Sequence, residues 1–141
     1  MNRHAHPIRV YYEDTDAGGV VYHARYLHFA ERARTEALRA LGAPHAELQA
    51  THGLIFMVRR VKLDYLAPAR LDDALVVLTG VAALRGASVE LRQTVLLGET
   101  RMADADVYLA CIRAETGRPA RIPQRWRDAL GQLGLDNEER R

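Results

Sequence analysis

One stretch of the chain crowds acids, glycines and a histidine together: Tyr12-Glu13-Asp14-Thr15-Asp16-Ala17-Gly18-Gly19-Val20-Val21-Tyr22-His23. Neither helical nor strand periodicity runs through its acidic part, so it reads as a loop, and a helical pattern follows it. Unpaired N–H groups at a helix start carry partial positive charge and stabilise an anion or a developing oxyanion. Glycines beside them let a ligand reach the backbone. A carboxylate a few residues upstream could then attack a carbonyl carbon or activate water to do so. Composition alone favours a plainer use, since acids ahead of a helix commonly cap it and glycines commonly turn a loop. Three features weigh on the other side: the loop holds more acids than a cap needs, His23 is titratable, and the apolar Val20-Val21 pair fits a partly buried loop.

Other chemistries find little to work with. Ser88 and Cys111 are the single serine and the single cysteine. Ser88 has no Gly-x-Ser-x-Gly elbow around it, and Cys111 sits in the apolar run Val107 to Ile112, where a thiol is expected to be buried and inert. A Walker loop, a Gly-x-Gly-x-x-Gly turn and a Cys-x-x-Cys pair are all missing. His4 and His6 resemble a metal pair only in spacing, with no nearby carboxylate or cysteine, so neither a metal nor another cofactor is expected. The net charge of +2 gives no field of the size that nucleic acid requires. Of the twenty basic residues only Lys62 is a lysine, so a bound anion would meet guanidinium forks and backbone amides.

The elements that must position the loop follow from periodicity. With 141 residues and 48% apolar composition, residues 1–141 make one globular domain. Ile8 to Tyr12 alternates as a short strand. From about Tyr22 to Leu41, Tyr26, Ala30, Ala33, Ala37 and Leu41 recur at helical spacing, an alanine-rich stripe that allows close approach to a sheet. Gly42 and Pro44 end this helix, and a short helix or turn is expected from His45 to Thr51. Four strands follow, Leu54 to Ala67, Ala74 to Leu84, Ser88 to Leu97 and Met102 to Arg113, read as consecutive antiparallel neighbours. Trp126, Leu130 and Leu133 predict a closing helix before a charged tail, Asn137 to Arg141. The layout is α+β, one long helix against one curved antiparallel sheet. The longest apolar run, within Ala74 to Leu84, is too short to span a bilayer. That absence and the lone cysteine point to the cytoplasm.

The seventeen residues Tyr11 to Leu27 closely resemble the signature of the 4-hydroxybenzoyl-CoA thioesterase family of hotdog-fold proteins. Within it they are most similar to the YbgC branch, acyl-CoA thioesterases associated with the Tol-Pal cell-envelope system. Looser similarity runs through Glu31 to Arg34, Tyr65 to Asp73 and Arg85 to Ser88. The resemblance implies a hotdog fold of about five strands and hydrolysis of an acyl-CoA thioester to a carboxylic acid and CoA. It places Asp16 at the catalytic carboxylate, as nucleophile or general base. His23 falls where a backbone N–H polarises the thioester carbonyl with a histidine side chain beside it, and Tyr12 matches a tyrosine near the same site. Gly19, with Val20 and Tyr22 around it, falls where backbone passes close to the acyl group. Arg85 and Ser88 fall in a turn that touches the CoA phosphates from a neighbouring subunit. A homo-oligomer, dimer or tetramer, is implied, and acyl carrier protein is a second possible thiol carrier. An enoyl-thioester hydratase or dehydratase and a non-catalytic acyl-carrier or envelope-assembly adaptor remain open on the residues alone. Among other acids, Glu31 and Glu36 match a sister branch that keeps its catalytic acid on the helix, which the loop acid makes unnecessary here; Glu36 reads instead as a surface pair with Arg32, and Asp72 and Asp73 as turn residues.

Overall fold

The computed structural model describes residues 2–134; the charged tail read at Asn137 to Arg141 lies outside the described residues. Five strands, β1 (His4–Arg9), β2 (Leu54–Tyr65), β3 (Ala74–Leu84), β4 (Ser88–Leu97) and β5 (Thr100–Arg113), form one sheet in the order β1-β3-β4-β5-β2. Every neighbouring pair is antiparallel. Helix α1 (Arg25–Ala40) packs on one face, followed by α2 (His45–His52), while α3 (Gln124–Gly131) closes the same side. This is the hotdog arrangement, a helix wrapped by a curved sheet.

The alanine stripe does what its small side chains permit. Ala30, Ala33 and Ala37 are all buried against the sheet, with Tyr26 and Phe29 filling the space at the helix's first turns. Two apolar clusters result, one around the start of α1 and one around α2 and α3. Gln93 is also buried, 1% exposed, on the helix-facing side of β4. Its amide donates to Ala30 O at 2.8 Å and to Thr79 Oγ1 at 3.0 Å, tying α1 to β3 and β4. A buried amide without such partners would cost a few kcal/mol, so this one has a defined seat.

Three expectations are corrected. The first strand is His4–Arg9, not Ile8 to Tyr12, because pairing with β3 from His4↔Thr79 to Arg9↔Ala74 overrides the poor strand propensity of His-Ala-His-Pro. Pro7 is tolerated because β1 is an edge strand. The second strand is not the hairpin neighbour of the third. It pairs with β5 on the opposite edge, and residues 66–73 carry the chain back to β3. The long helix starts at Arg25 rather than at Tyr22.

Candidate active site

The acidic loop sorts its carboxylates into different tasks. Asp14, at the end of a single 3-10 turn Tyr12–Asp14, is 3% exposed. Its Oδ2 accepts the Tyr11 N–H at 2.8 Å, and its Oδ1 accepts Arg25 Nε at 2.8 Å and meets Arg25 Nη2 at 2.6 Å. Its carbonyl accepts the Tyr22 N–H at 2.8 Å. Asp14 therefore clamps the loop to the first residue of α1, the structural role that acids ahead of a helix commonly fill.

Asp16 has no such clamp. Its backbone closes a small loop, with Asp16 N–H donating to Val20 O at 2.9 Å and Gly19 N–H to Asp16 O at 3.0 Å. Its Oδ1 accepts the Gly18 N–H at 2.8 Å, and Oδ2 has no hydrogen bond or ion pair among the described residues. Gly18 leaves room here, since a Cβ would stand 3.2 Å from Asp16 Oδ1, close enough to nudge the carboxylate. Gly19 is needed for another reason, its φ of +78°, which L side chains resist. The loop is pinned to the segment after β2 by Val21 N–H donating to Ala69 O at 2.8 Å and by a bridge between Val20 and Arg70.

Asp16, Val20 and His23 share an open cleft of about 350 Å³ with Tyr26, Tyr65 and Pro68. His23 precedes α1 by two residues, and its N–H has no acceptor among the described residues. Its carbonyl accepts the Tyr65 hydroxyl at 2.8 Å, which fixes the peptide plane on the other side. The His23 ring lies 4.5 Å from the Tyr22 ring and meets the edge of Tyr65 at 6.4 Å. Burial raises the Tyr65 phenol above its ordinary pKa, as it does for Tyr26, so both stay protonated and Tyr65 remains a donor at neutral pH. Tyr65 and Tyr26 escaped the sequence reading as site residues. Tyr65 ends a strand whose alternation explains it without function, and Tyr26 counted as core.

The remaining sequence-derived candidates lie elsewhere on this chain. Tyr12 is 82% exposed and is not part of the cleft wall. Tyr22 touches the site only through the His23 ring, and Gly19 only by shaping the loop. Arg85 and Ser88 flank the β3–β4 turn, where Arg85 N–H donates to Ser88 O at 2.8 Å and the guanidinium pairs with Glu90 at 3.1 Å. Ser88 stands opposite Ala110, whereas Tyr65 stands opposite Ala103, so seven residues of β5, roughly 23 Å, separate turn and cleft. Glu36 pairs with Arg39 rather than Arg32. Asp73 accepts the Arg70 N–H at 2.8 Å beside Asp72, whose φ is +69°, the turn use expected of them. Among the described residues no three His, Cys, Asp or Glu side chains converge as metal ligands.

The cleft thus brings together a carboxylate with one oxygen held and one free and a residue whose N–H has no acceptor among the described residues, groups chemically able to serve acyl transfer to water. Residues 10–130 match the thioesterase-like superfamily. The chain belongs to that superfamily. This thioesterase-like chain is 43% identical over 132 residues to an acyl-CoA thioesterase YbgC of Haemophilus influenzae, covering 94% of this chain and 97% of that one. To an acyl-CoA thioester hydrolase YbgC of Escherichia coli it is 44% identical over 119 residues, covering 84% and 88%. Among solved structures, a probable thioesterase from Bartonella henselae superposes with a TM-score of 0.82 at 40% identity, covering 86% of this chain and 99% of that one. No helix among the described residues is long and apolar enough to cross a membrane.

Proposed function

We propose that the chain hydrolyses acyl-CoA thioesters to a free carboxylic acid and CoA in the cleft at the head of α1, with Asp16 as the reacting carboxylate. The observation that carries this reading is the paired state of Asp16: Oδ1 held by Gly18 N–H and Oδ2 uncommitted, on the wall of the cleft that His23 shares. The thioester carbonyl oxygen accepts the His23 N–H, and Asp16 either attacks the carbonyl carbon or takes a proton from an attacking water. In the first route the C–S bond breaks with loss of CoA thiolate, and water then cleaves the resulting anhydride. In the second, the tetrahedral intermediate expels the thiolate directly. Either way the negative charge develops on the oxygen facing the amide, where one preorganised donor contributes about 10²–10³-fold.

Arg85 and Ser88 bind the CoA phosphates in this reading only if a second copy brings its own turn to the cleft. An unpaired edge supports such assembly: β2 runs for 12 residues with Met57 and Val58 both 43% exposed. A homodimer or tetramer working in the cytoplasm, with acyl carrier protein as an alternative thiol donor, is the fuller proposal. Thiol release from a panel of acyl-CoAs tests the chemistry. Asp16→Asn should lose at least about 10²-fold in kcat/KM while folding normally; ordinary rates in that variant would overturn the assignment.

A further inference from the structure

The phenol of Tyr26 has an unspent donor. Tyr26 stands in the first turn of α1, is 4% exposed, and lines the same cleft as Asp16 and His23. Its oxygen accepts the Ala69 N–H at 3.4 Å, and no acceptor among the described residues takes its proton. A buried tyrosine hydroxyl ordinarily finds such a partner, because a buried donor without one is costly. Exposure this low leaves a second copy of the chain almost no surface through which to supply it. The acceptor for this proton therefore enters through the cleft.

Its place in the helix says which acceptor. Helical side chains lean toward the N-terminus, over the turn that precedes their own Cα, and three residues before Tyr26 is His23. The lean carries the phenol toward the peptide whose N–H is uncommitted. The rings agree: Tyr26 meets Tyr65 at 5.5 Å, and the Tyr65 hydroxyl is the group that holds the His23 carbonyl. Phe29, at 5.9 Å, supports the Tyr26 ring from the core. Ala69, which occupies the acceptor side of the hydroxyl, also takes the Val21 N–H on its carbonyl at 2.8 Å, so the phenol is tied to the loop that carries Asp16. Burial above all keeps the phenol protonated, so it can donate a hydrogen bond but not serve as a base. A rigid donor in a water-poor wall, beside an uncommitted amide, is suited to a charge that develops on oxygen.

We propose that Tyr26 is the second oxyanion donor of the site: as the thioester carbonyl becomes tetrahedral, its oxygen accepts the His23 N–H and the Tyr26 O–H together. The proton stays on the phenol throughout, and no covalent bond to Tyr26 forms. This inference rests on the thioesterase reading above, since it names a second group acting on the same carbonyl. In the full chain, Tyr26→Phe keeps the ring and removes the donor, and kcat should fall about 10²-fold with KM moving less than about threefold. A packing defect could also slow the enzyme, so the deciding readout is spectroscopic. The ligand is the ketone analogue of the acyl-CoA cleaved fastest, with CH2 in place of the thioester sulfur and ¹³C at the carbonyl, a compound that cannot be hydrolysed. Its carbonyl infrared band should lie higher when bound to Tyr26→Phe than when bound to wild type. With 3-fluorotyrosine in place of Tyr26, a more acidic and stronger donor of nearly the same size, the band should lie lower than in wild type. That second comparison decides the matter if Tyr26→Phe fails to fold. A band unmoved by either replacement, whatever happens to kcat, overturns this inference and leaves the thioesterase reading standing. If the wild-type chain cleaves no acyl-CoA, both fall.

Discussion

Replacing Asp14 by Asn separates the scaffold of this site from its chemistry. The side chain is 5% exposed and engages three donors, Tyr11 N–H, Arg25 Nε and Arg25 Nη2, all within 2.8 Å. Asparagine keeps the shape and one acceptor for the Tyr11 amide, but it removes the charge that two guanidinium contacts use. Hydrogen bonds to charged groups contribute about 1.5–3 kcal/mol each, and breaking a fully buried ion pair costs about 3–5 kcal/mol. Arg25 keeps 23% of its side-chain surface in water and recovers part of its solvation, so the low side of that range applies. We expect Asp14→Asn to lose about 2–3 kcal/mol of stability, read as a lower urea midpoint at unchanged m-value and as a melting temperature lower by roughly 5–10 °C. In a double-mutant cycle with Arg25→Met, the combined loss should fall short of the sum of the single losses by at least about 1 kcal/mol. A loss below about 0.5 kcal/mol, or strict additivity, would refute the assignment of Asp14 as the clamp.

The neighbouring acid should behave oppositely: Asp16→Asn is expected within about 0.5 kcal/mol of wild-type stability, by the same urea titration, because its carboxylate is exposed and engages one amide. Tyr65→Phe removes the donor to His23 O and should lower kcat by about three- to tenfold with a smaller change in KM, since it holds the peptide that follows the His23 N–H; a pure KM effect would point to substrate contact instead. His45 has its folded pKa depressed below 6.5, so its native form binds fewer protons than the unfolded chain, and stability should fall as pH drops below 6.5. In a pH series of denaturation midpoints, His45→Gln should flatten that fall; an unchanged slope would count against the buried neutral ring. Burial holds the Cys111 thiol above its ordinary pKa, so a thiol reagent should modify it only as fast as the chain opens, and prompt reaction of the native protein would contradict that.

Local pattern and long-range pairing were legible to different degrees, and the strands show why. The alternation in Leu54 to Tyr65 identifies a strand and its two faces, because a period of two is a property of the segment itself. Its partner is not such a property. Hairpin turns at Arg85-Gly86-Ala87 and Gly98-Glu99 join β3, β4 and β5 as read, whereas the longer connection through Pro68 leaves β2 free to settle on the far edge beside β5. The same limit displaced β1: the apolar alternation from Ile8 marks residues that become core or loop, while His4 to Pro7 is extended only because β3 offers it hydrogen bonds.

Within the site, composition located the loop but could not divide the work among its acids. Asp14 and Asp16 are the same residue type two positions apart, and only the fold decides that one meets Arg25 in the interior while the other meets solvent across the cleft. The division is a consequence of where α1 begins. Because the helix starts at Arg25 and not at Tyr22, a charged side chain rather than a bare amide holds the loop at its base, and the His23 peptide is left outside the helical ladder. Like the first N–H groups of the helix itself, which have no intrahelical acceptor, the His23 N–H points back toward the loop and away from the helix carbonyls. Held just ahead of α1, with Tyr65 holding the next peptide through the His23 carbonyl, the His23 N–H is left uncommitted, which an oxyanion donor must be.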